Sequence, residues 1–346
     1  MTRECKARRI KGPGKEEAVI EVKHLTKQYG RHIAVSDLSF TIEKGRIYGL
    51  LGPNGAGKST TMNIMTGCLA ATSGEVMIDG YDIFEDAFKA KKLIGYLPEQ
   101  PPLYMDRTPR EYLTFIARAK QIPEKDIEKN IKSVMDTTGI SHVSDRLIKV
   151  LSKGYRQRVG IAQAILGDPE IVILDEPTVG LDPKQIIEIR DLIKNLGRSH
   201  TVILSSHILS EVQAVCRTVM IISKGHLVAC DTPENLEKLF SGTSTVEVIS
   251  ETDEDEARRI LSGLGHMGHI RFISEEKDGA GQKRPRCEIE IETENMQGED
   301  LCRRIFNAFA EAGRPILKLN TTQASLEDIF IELTKEEAAD ESRVQA

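Results

Sequence analysis

The sequence contains no run of about 18 uncharged apolar residues, the length that a membrane-spanning helix needs. It also lacks an apolar segment behind its N-terminus, so we expect a chain that does not cross a membrane by itself. Its six cysteines form no C-x-x-C pair and have no histidine beside them at metal-ligand spacing, which argues against structural zinc and favours a reducing cytosol without disulfides. The formal net charge of −6 argues against a general nucleic-acid-binding protein.

Length and composition limit the number of domains. With 346 residues, 40% of them hydrophobic and 29% charged, the chain is long enough for two soluble domains, or for one large domain with an appendage. Residues 1–17 are polar, basic and aperiodic, which predicts a disordered tail or, alternatively, contact with an anionic membrane surface. Residues 335–346 are acidic and are predicted to be disordered.

A glycine-rich loop follows an apolar run at 47–51 and fits the pattern G-x-x-x-x-G-K-[ST], with a helix predicted to begin near Lys58. The glycines let backbone N–H groups turn toward phosphate oxygens, and the helix N-terminus adds partial positive charge. Lys58 is predicted to reach the β- and γ-phosphates, and the Ser59 hydroxyl to ligate Mg²⁺. Tyr29 is either a half-buried loop aromatic or, as its position favours, a platform for the adenine ring. The predicted nucleotide-binding loop comprises Gly52, Pro53, Asn54, Gly55, Ala56, Gly57, Lys58, Ser59 and Thr60.

Two later apolar runs end in polar side chains. The run at 171–174 ends in Asp175 and Glu176, and the run at 201–206 ends in His207. Ligands of open α/β sheets bind at the carboxyl ends of strands. Asp175 suits the Mg²⁺ shell, and Glu176 suits orienting or deprotonating a water that attacks the γ-phosphate. His207 is predicted to sense or polarise the γ-phosphate.

The segment at about 105–165 is predicted to be a helical subdomain inserted into the α/β pattern. Thr108, Pro109 and Glu111 form the start of a helix, with a hydroxyl at the N-cap and a carboxylate three residues later. A second helix is predicted to begin at Ser152, with basic residues in its first turn, where the helix dipole disfavours them. This mismatch is a weak indication that the turn serves an anion.

In this order the motifs resemble the nucleotide-binding subunit of ABC transporters, over roughly residues 18–240. Residues 52–60 resemble its Walker A loop, 171–176 its Walker B strand with the catalytic glutamate, and His207 its switch histidine. The resemblance implies an α/β fold of the P-loop NTPase class with an inserted helical subdomain. Further matches are the A-loop aromatic at Tyr29, the signature at Ser152, Lys153, Gly154 and Tyr155, the D-loop at Asp182, and the Q-loop position at Glu99.

Two positions depart from the family pattern. The signature is usually Leu-Ser-Gly-Gly-Gln, whereas Lys153 and Tyr155 occupy its third and fifth positions. Ser152 and Gly154, which the resemblance assigns to the γ-phosphate of the partner subunit, are kept. The Q-loop residue is usually glutamine; here it is Glu99, whose carboxylate is still able to reach Mg²⁺ or the attacking water.

The resemblance implies that two subunits sandwich two ATP molecules, with each Walker A loop facing the other chain's signature. We therefore expect a homodimer or a pair with a paralogous ATPase, Mg²⁺ as cofactor, and no nucleic-acid partner. An integral membrane permease would hold the ATPase at the cytoplasmic face of the membrane, in an exporter-type system. One alternative is a non-transport ABC ATPase acting on ribosomes or DNA. Another is an ATP-gated interaction module that binds ATP without turnover.

Residues 243–334 are predicted to form a small α+β domain of β-α-β-β-α-β order, ferredoxin-like, with a closing helix. It has no catalytic constellation, and its expected role is dimer support, regulation or a structural cap. The predicted strands lie at 245–249, 269–273, 287–291 and 316–319, and the predicted helices at 257–264 (ended by Gly265), 301–309 and 325–333.

Overall fold

The structure, a computed structural model, describes residues 18–240, 244–264, 269–274, 287–293 and 298–323. The predicted tails and the predicted helix at 325–333 lie outside these residues. The chain divides into two compact units, at 1–230 and 231–346. This division falls earlier than the predicted boundary at 240.

The strands of the first unit form two sheets. The six-stranded sheet has the order β10-β9-β3-β8-β7-β6, and the four-stranded sheet has the order β2-β1-β4-β5. The strands are β1 (Ala18–Tyr29), β2 (His32–Glu43), β3 (Ile47–Leu51), β4 (Ser73–Ile78), β5 (Tyr81–Asp82), β6 (Ile94–Leu97), β7 (Ile171–Leu174), β8 (Thr201–Ser206), β9 (Thr218–Ser223) and β10 (His226–Asp231).

Helices cover the six-stranded sheet. Strands β7 and β8 are buried along their whole length, as continuous apolar runs are in parallel sheets with both faces covered. The helices are α1 (Lys58–Met65), α2 (Ala87–Lys92), α3 (Pro109–Ala119), α4 (Glu124–Thr138), α5 (Lys153–Ile165), α6 (Pro183–Leu196) and α7 (Leu209–Val215), with 3-10 turns at Ser141–Val143 and Ile148–Val150.

Parallel pairing aligns the carboxyl ends of the central strands. In the register, Leu51 of β3 faces Ser206 of β8, while Leu174 of β7 faces Leu204 of β8 and Leu97 of β6. The residues that follow β3, β6, β7 and β8 therefore emerge at one edge of the sheet. The antiparallel sheet shares a core with this one, and Ile20, Leu50 and Ile173 are fully buried in it.

Helices α3, α4 and α5 fill the predicted helical segment. The capping box at Thr108 is confirmed: Glu111 N donates to Thr108 Oγ1 at 3.2 Å, and Thr108 N donates to Glu111 Oε2 at 3.0 Å. Ser152 is the N-cap of α5, with its hydroxyl accepting from Tyr155 N.

The second unit contains a four-stranded antiparallel sheet of order β12-β13-β11-β14. Its described elements follow the predicted β-α-β-β-α-β order, and assignment to the ferredoxin-like class stays a prediction. Phe309 and Leu261 are fully buried in its own core. The elements are α8 (Pro233–Phe240), β11 (Ser244–Ser250), α9 (Glu254–Ser262), β12 (His269–Ser274), β13 (Cys287–Thr293), α10 (Gly298–Glu311) and β14 (Ile316–Gln323).

One predicted helix end was wrong, and two strands were missed. Helix α9 ends at Ser262 with Gly263 as its C-cap, before the predicted stop at Gly265, because the first glycine already ends the helix. The strands β9 and β10 were not predicted. They follow α7 closely and turn at Lys224 and Gly225, both at positive φ.

Thr108→Ala is expected to destabilise the start of α3 by about 1 kcal/mol, because the Glu111 amide loses its side-chain acceptor. Native-state hydrogen exchange should show roughly fivefold faster exchange in the first turn. Thr137→Ala, at an exposed position of α4, is the matched control and should change little. If the first turn of α3 exchanged at the same rate in wild type and in Thr108→Ala, the predicted stabilisation by the Thr108 side chain would be wrong.

Candidate active site

The loop after β3 is shaped by glycines at positive φ. Gly55 has a φ of 82° and Gly57 a φ of 104°, and Gly57 is the N-cap of α1. A Cβ on Gly57 would lie 2.5 Å from the carbonyl oxygen of Ala34, so a larger residue cannot occupy that position. The loop backbone therefore turns directly into the N-terminus of a helix, an arrangement that favours an anion.

The Lys58 side chain is buried, with 6% of its surface exposed. Its ammonium donates to the carbonyl oxygens of Gly52 at 2.8 Å and Pro53 at 3.1 Å, and lies 3.7 Å from Glu176 Oε1. Burial lowers the pKa of this ammonium, and the carboxylates of Glu176, Asp175 and Glu99 act in the opposite direction. The loop thus holds a buried cation facing the carboxylates of neighbouring strands.

Through its Oδ1 atom, Asp175 at the end of β7 contacts the start of α1 and the end of β8. This atom accepts from Ser59 Oγ at 3.2 Å and from Ser205 Oγ at 2.6 Å. Ser59 lies at the start of α1 and Ser205 near the end of β8, so Asp175, just after β7, holds both. A buried carboxylate needs such partners, and hydroxyl and carboxylate oxygens are the ligands that Mg²⁺ prefers.

Glu176 and His207 face each other. His207 Nδ1 lies 2.9 Å from Glu176 Oε2, and the Glu176 side chain is 8% exposed. Glu176 has a φ of 47°, a left-handed conformation that non-glycine residues seldom adopt. Ser205 Oγ accepts from its backbone N–H at 2.8 Å and helps to hold this conformation.

Lys58, Glu176 and His207 border one cavity of about 460 Å³. Tyr29, at the end of β1, is 48% exposed and has Lys27 Nζ 5.1 Å from its ring centroid. Glu99, after β6, borders the same cavity. The lining residues are Tyr29, His32, Ala34, Asn54, Gly55, Gly57, Lys58, Ser59, Thr60, Glu99, Glu176, Val179 and His207.

Comparison with known proteins supports the family that the motifs suggest. The profile of the family described as ABC transporter matches residues 35–179. The "Uncharacterized ABC transporter ATP-binding protein YhcH" of Bacillus subtilis is 42% identical over 214 residues, which cover 61% of this chain and 69% of that protein. The "Bacitracin transport ATP-binding protein BcrA" of Bacillus licheniformis is 33% identical over 334 residues, covering 91% of this chain and 97% of that protein. This chain belongs to the ABC transporter ATP-binding proteins.

A solved structure shows the same fold. The structure of cbiO1 from Clostridium perfringens, described as part of the ABC transporter complex cbiONQ, matches with a TM-score of 0.59 and 27% identity over 72% of this chain and 98% of that one. The ATPase activity of this family accords with the cavity, which places a phosphate-binding loop opposite two carboxylates and a histidine. The family and the fold of the first unit are thus shown.

The residues predicted as the signature and the D-loop lie together, but they are not among the described residues that border the cavity. A Cβ on Gly154 would lie 2.7 Å from the Gln185 side chain, and Lys153 Nζ lies against Gly180. Asp182 is the N-cap of α6, with Oδ1 accepting from Gln185 N at 2.9 Å. The N-termini of α5 and α6 therefore form one surface.

Tyr155, at the fifth signature position, is held by the helical subdomain. Its hydroxyl lies 3.0 Å from His142 Nε2, and the two rings pack edge to face with centroids 5.4 Å apart. The tyrosine that replaces the usual glutamine therefore contacts His142 of its own subunit. The sequence pattern did not predict this contact.

Ser205 is a site residue that the sequence did not reveal. It contacts both Asp175 and Glu176, yet it stands inside an apolar run and 30 residues from Asp175. Its only sequence signal is a hydroxyl at the carboxyl end of a strand that ends beside the phosphate loop.

Ser205→Ala is expected to lower ATP turnover by roughly 10- to 100-fold, because Asp175 and the Glu176 backbone both lose a partner that orients them. Steady-state phosphate release measures this effect. Ser199→Ala, in the turn after α6, is the matched control. Unchanged turnover in Ser205→Ala would mean that Asp175 and Glu176 keep their positions without the hydroxyl.

Proposed function

We propose that this chain is the motor subunit of an exporter-type ABC transporter, which binds MgATP, closes into a dimer, hydrolyses ATP and drives a separate permease. The observation that carries the proposal is the meeting of Lys58, Asp175, Glu176 and His207 at one sheet edge. Interaction modules that only bind ATP have no need for a buried carboxylate and histidine in contact beside the phosphate loop.

The donor set fits Mg²⁺ as the companion of ATP. Ser59 Oγ and Asp175 Oδ1 lie 3.2 Å apart, so both are able to join one coordination shell directly or through water. Glu99 borders the same cavity and is proposed as a further oxygen donor, in place of the usual glutamine. Bound there, Mg²⁺ would supply positive charge to offset the negative charge of the phosphoryl group.

Glu176 is proposed to orient and deprotonate the attacking water. A carboxylate that is 8% exposed and faces an imidazole is held in one orientation, as a general base requires. His207 is proposed to contact the γ-phosphate through Nε2, because its Nδ1 is engaged by Glu176. Lys58 would exchange its loop carbonyls for phosphate oxygens, while Tyr29 stacks on the adenine ring.

A second subunit is proposed to complete each site. Ser152, Lys153, Gly154 and Tyr155 carry the signature, and with Asp182 they lie outside the lining of the cavity of their own subunit. The Ser152 hydroxyl and the N-terminus of α5 are donors suited to a γ-phosphate on the facing subunit. The partner is a second copy or a paralogous ATPase.

A permease is proposed to hold the ATPase at the cytoplasmic face of the membrane. Within the described part of the chain, no helix is both long and apolar enough to cross a membrane. The cbiO1 subunit is described as part of a transporter complex, and BcrA as a transport protein. These relatives favour a transport role over action on ribosomes or DNA.

Glu176→Gln is expected to lower ATP turnover by at least about 10²-fold while ATP still binds, because the variant loses the base and keeps the phosphate loop. It should accumulate as a dimer in MgATP, detected by size-exclusion chromatography. Lys58→Ala should instead lose ATP affinity and the dimer with it. Glu128→Gln, an exposed position on α4, is the control. Retained turnover in Glu176→Gln would refute its assignment as the base.

The transporter role is tested by capture from native membranes. A tagged Glu176→Gln subunit, loaded with MgATP and purified in detergent, should retain a multi-span membrane protein in stoichiometric amount. The Lys58→Ala subunit, treated in the same way, provides the comparison for ATP dependence. Capture of ribosomes or DNA-repair proteins, with no membrane protein, would favour a non-transport ATPase.

A further inference from the structure

A buried carboxylate lies behind the site, on helix α7. Glu211 is 4% exposed, and its Oε2 accepts hydrogen bonds from the hydroxyls of Thr178 and of Ser206, the second at 3.2 Å. Arg190 Nη2 lies 4.0 Å from its Oε1. Burying a carboxylate costs several kcal/mol before its partners compensate, whereas an apolar side chain would fill the same space without this cost.

The two hydroxyls belong to the two segments that carry the catalytic pair. Thr178 follows Glu176 by two residues, and Ser206 immediately precedes His207. Ser206 Oγ also accepts from Ile208 N at 3.0 Å, so the backbone on both sides of His207 is tied to the same hydroxyl. One oxygen of Glu211 therefore joins the segment after β7 to the last residue of β8.

The backbone at Glu176 needs restraint. Its φ of 47° is a strained conformation, which persists when surrounding contacts over-determine it. Ser205 holds the N–H of Glu176 from one side. On the other side, Val179 N donates to Glu176 O at 3.2 Å, and the Thr178 hydroxyl is fixed by Glu211.

We propose that Glu211 is a positioning residue for ATP hydrolysis, which sets the contact between Glu176 and His207 by tying Thr178 and Ser206 to one buried carboxylate. This inference rests on the proposed roles of Glu176 and His207. Glu211 is not among the described residues that border the cavity, so it acts through the two segments and does not touch ATP.

The test compares Glu211→Gln and Glu211→Ala with wild type, in the purified full chain. Misplacing a catalytic group by about 1 Å costs roughly 10²-fold in rate, so we expect kcat to fall about 10²-fold in Glu211→Ala. The fall should be about 10-fold in Glu211→Gln, which keeps an oxygen acceptor and loses the charge. KM for ATP and the Kd for ATP should stay at their wild-type values, because the phosphate loop is untouched.

A double-mutant cycle separates positioning from packing. If Glu211 acts through the Glu176–His207 contact, Glu211→Gln should add little to the loss of kcat caused by His207→Ala. Thr178→Val, which removes one of the two hydroxyls, should reproduce part of the Glu211 effect. Glu128→Gln, an exposed Glu-to-Gln change on α4, is the control and should keep wild-type kcat.

Three results would overturn the inference. The first is wild-type kcat in Glu211→Gln, and the second is a full additive loss with His207→Ala. The third is loss of ATP affinity together with a lower unfolding midpoint in Glu211→Gln, which would indicate a packing role only. If wild-type protein releases no phosphate, the proposed function fails and this inference fails with it; if only the Glu211 comparison fails, the proposed function stands.

Discussion

The parallel pairing of β3, β8 and β7 is the constraint on which the site depends. Strands in this register end together, so residues far apart in sequence emerge side by side. The phosphate loop leaves β3, Asp175 and Glu176 leave β7, and His207 leaves β8. The three strands are largely apolar, as expected of strands buried on both faces of a sheet. The polar residues of the site lie at or just after the carboxyl ends of these strands. The sheet thus sets the spacing of the groups proposed to act in catalysis, and none of them belongs to its hydrophobic core.

Burial makes these groups depend on one another. Lys58, Asp175 and Glu176 are all buried, and a charged group is not stable in such a place without partners. The ammonium partly offsets the carboxylates, and the hydroxyls of Ser59 and Ser205 both donate to Asp175 Oδ1. The polar groups around the predicted phosphate site are thus held in place by one another, and preorganised groups of this kind are what electrostatic catalysis uses.

The sequence predicted the parts of the site that depend on local pattern. The phosphate loop, the strand before Asp175 and Glu176, and the capped helix at Thr108 are each specified within about ten residues of chain. The contacts that tie Ser205 to Asp175 and Glu211 to Thr178 were not predictable in this way, since the two residues of each pair are 30 and 33 residues apart in sequence. A serine in an apolar run and a glutamate on a short helix carry no period or motif. Only the folded structure shows that these two side chains contact residues at the site.

Contacts between helices connect the predicted signature to the segment that follows Glu176. Helix α6 begins at Pro183, with Asp182 as its N-cap, a few residues after Glu176. It packs against the N-terminus of α5, where the predicted signature lies. Arg158 of α5 donates to Glu188 of α6 at 2.7 Å and to the carbonyl oxygen of Thr138 at 2.8 Å, which ties these helices to α4. Within one subunit, the predicted signature at the start of α5 is therefore linked through α6 to the segment that follows Glu176, and Glu211 holds the same segment at Thr178.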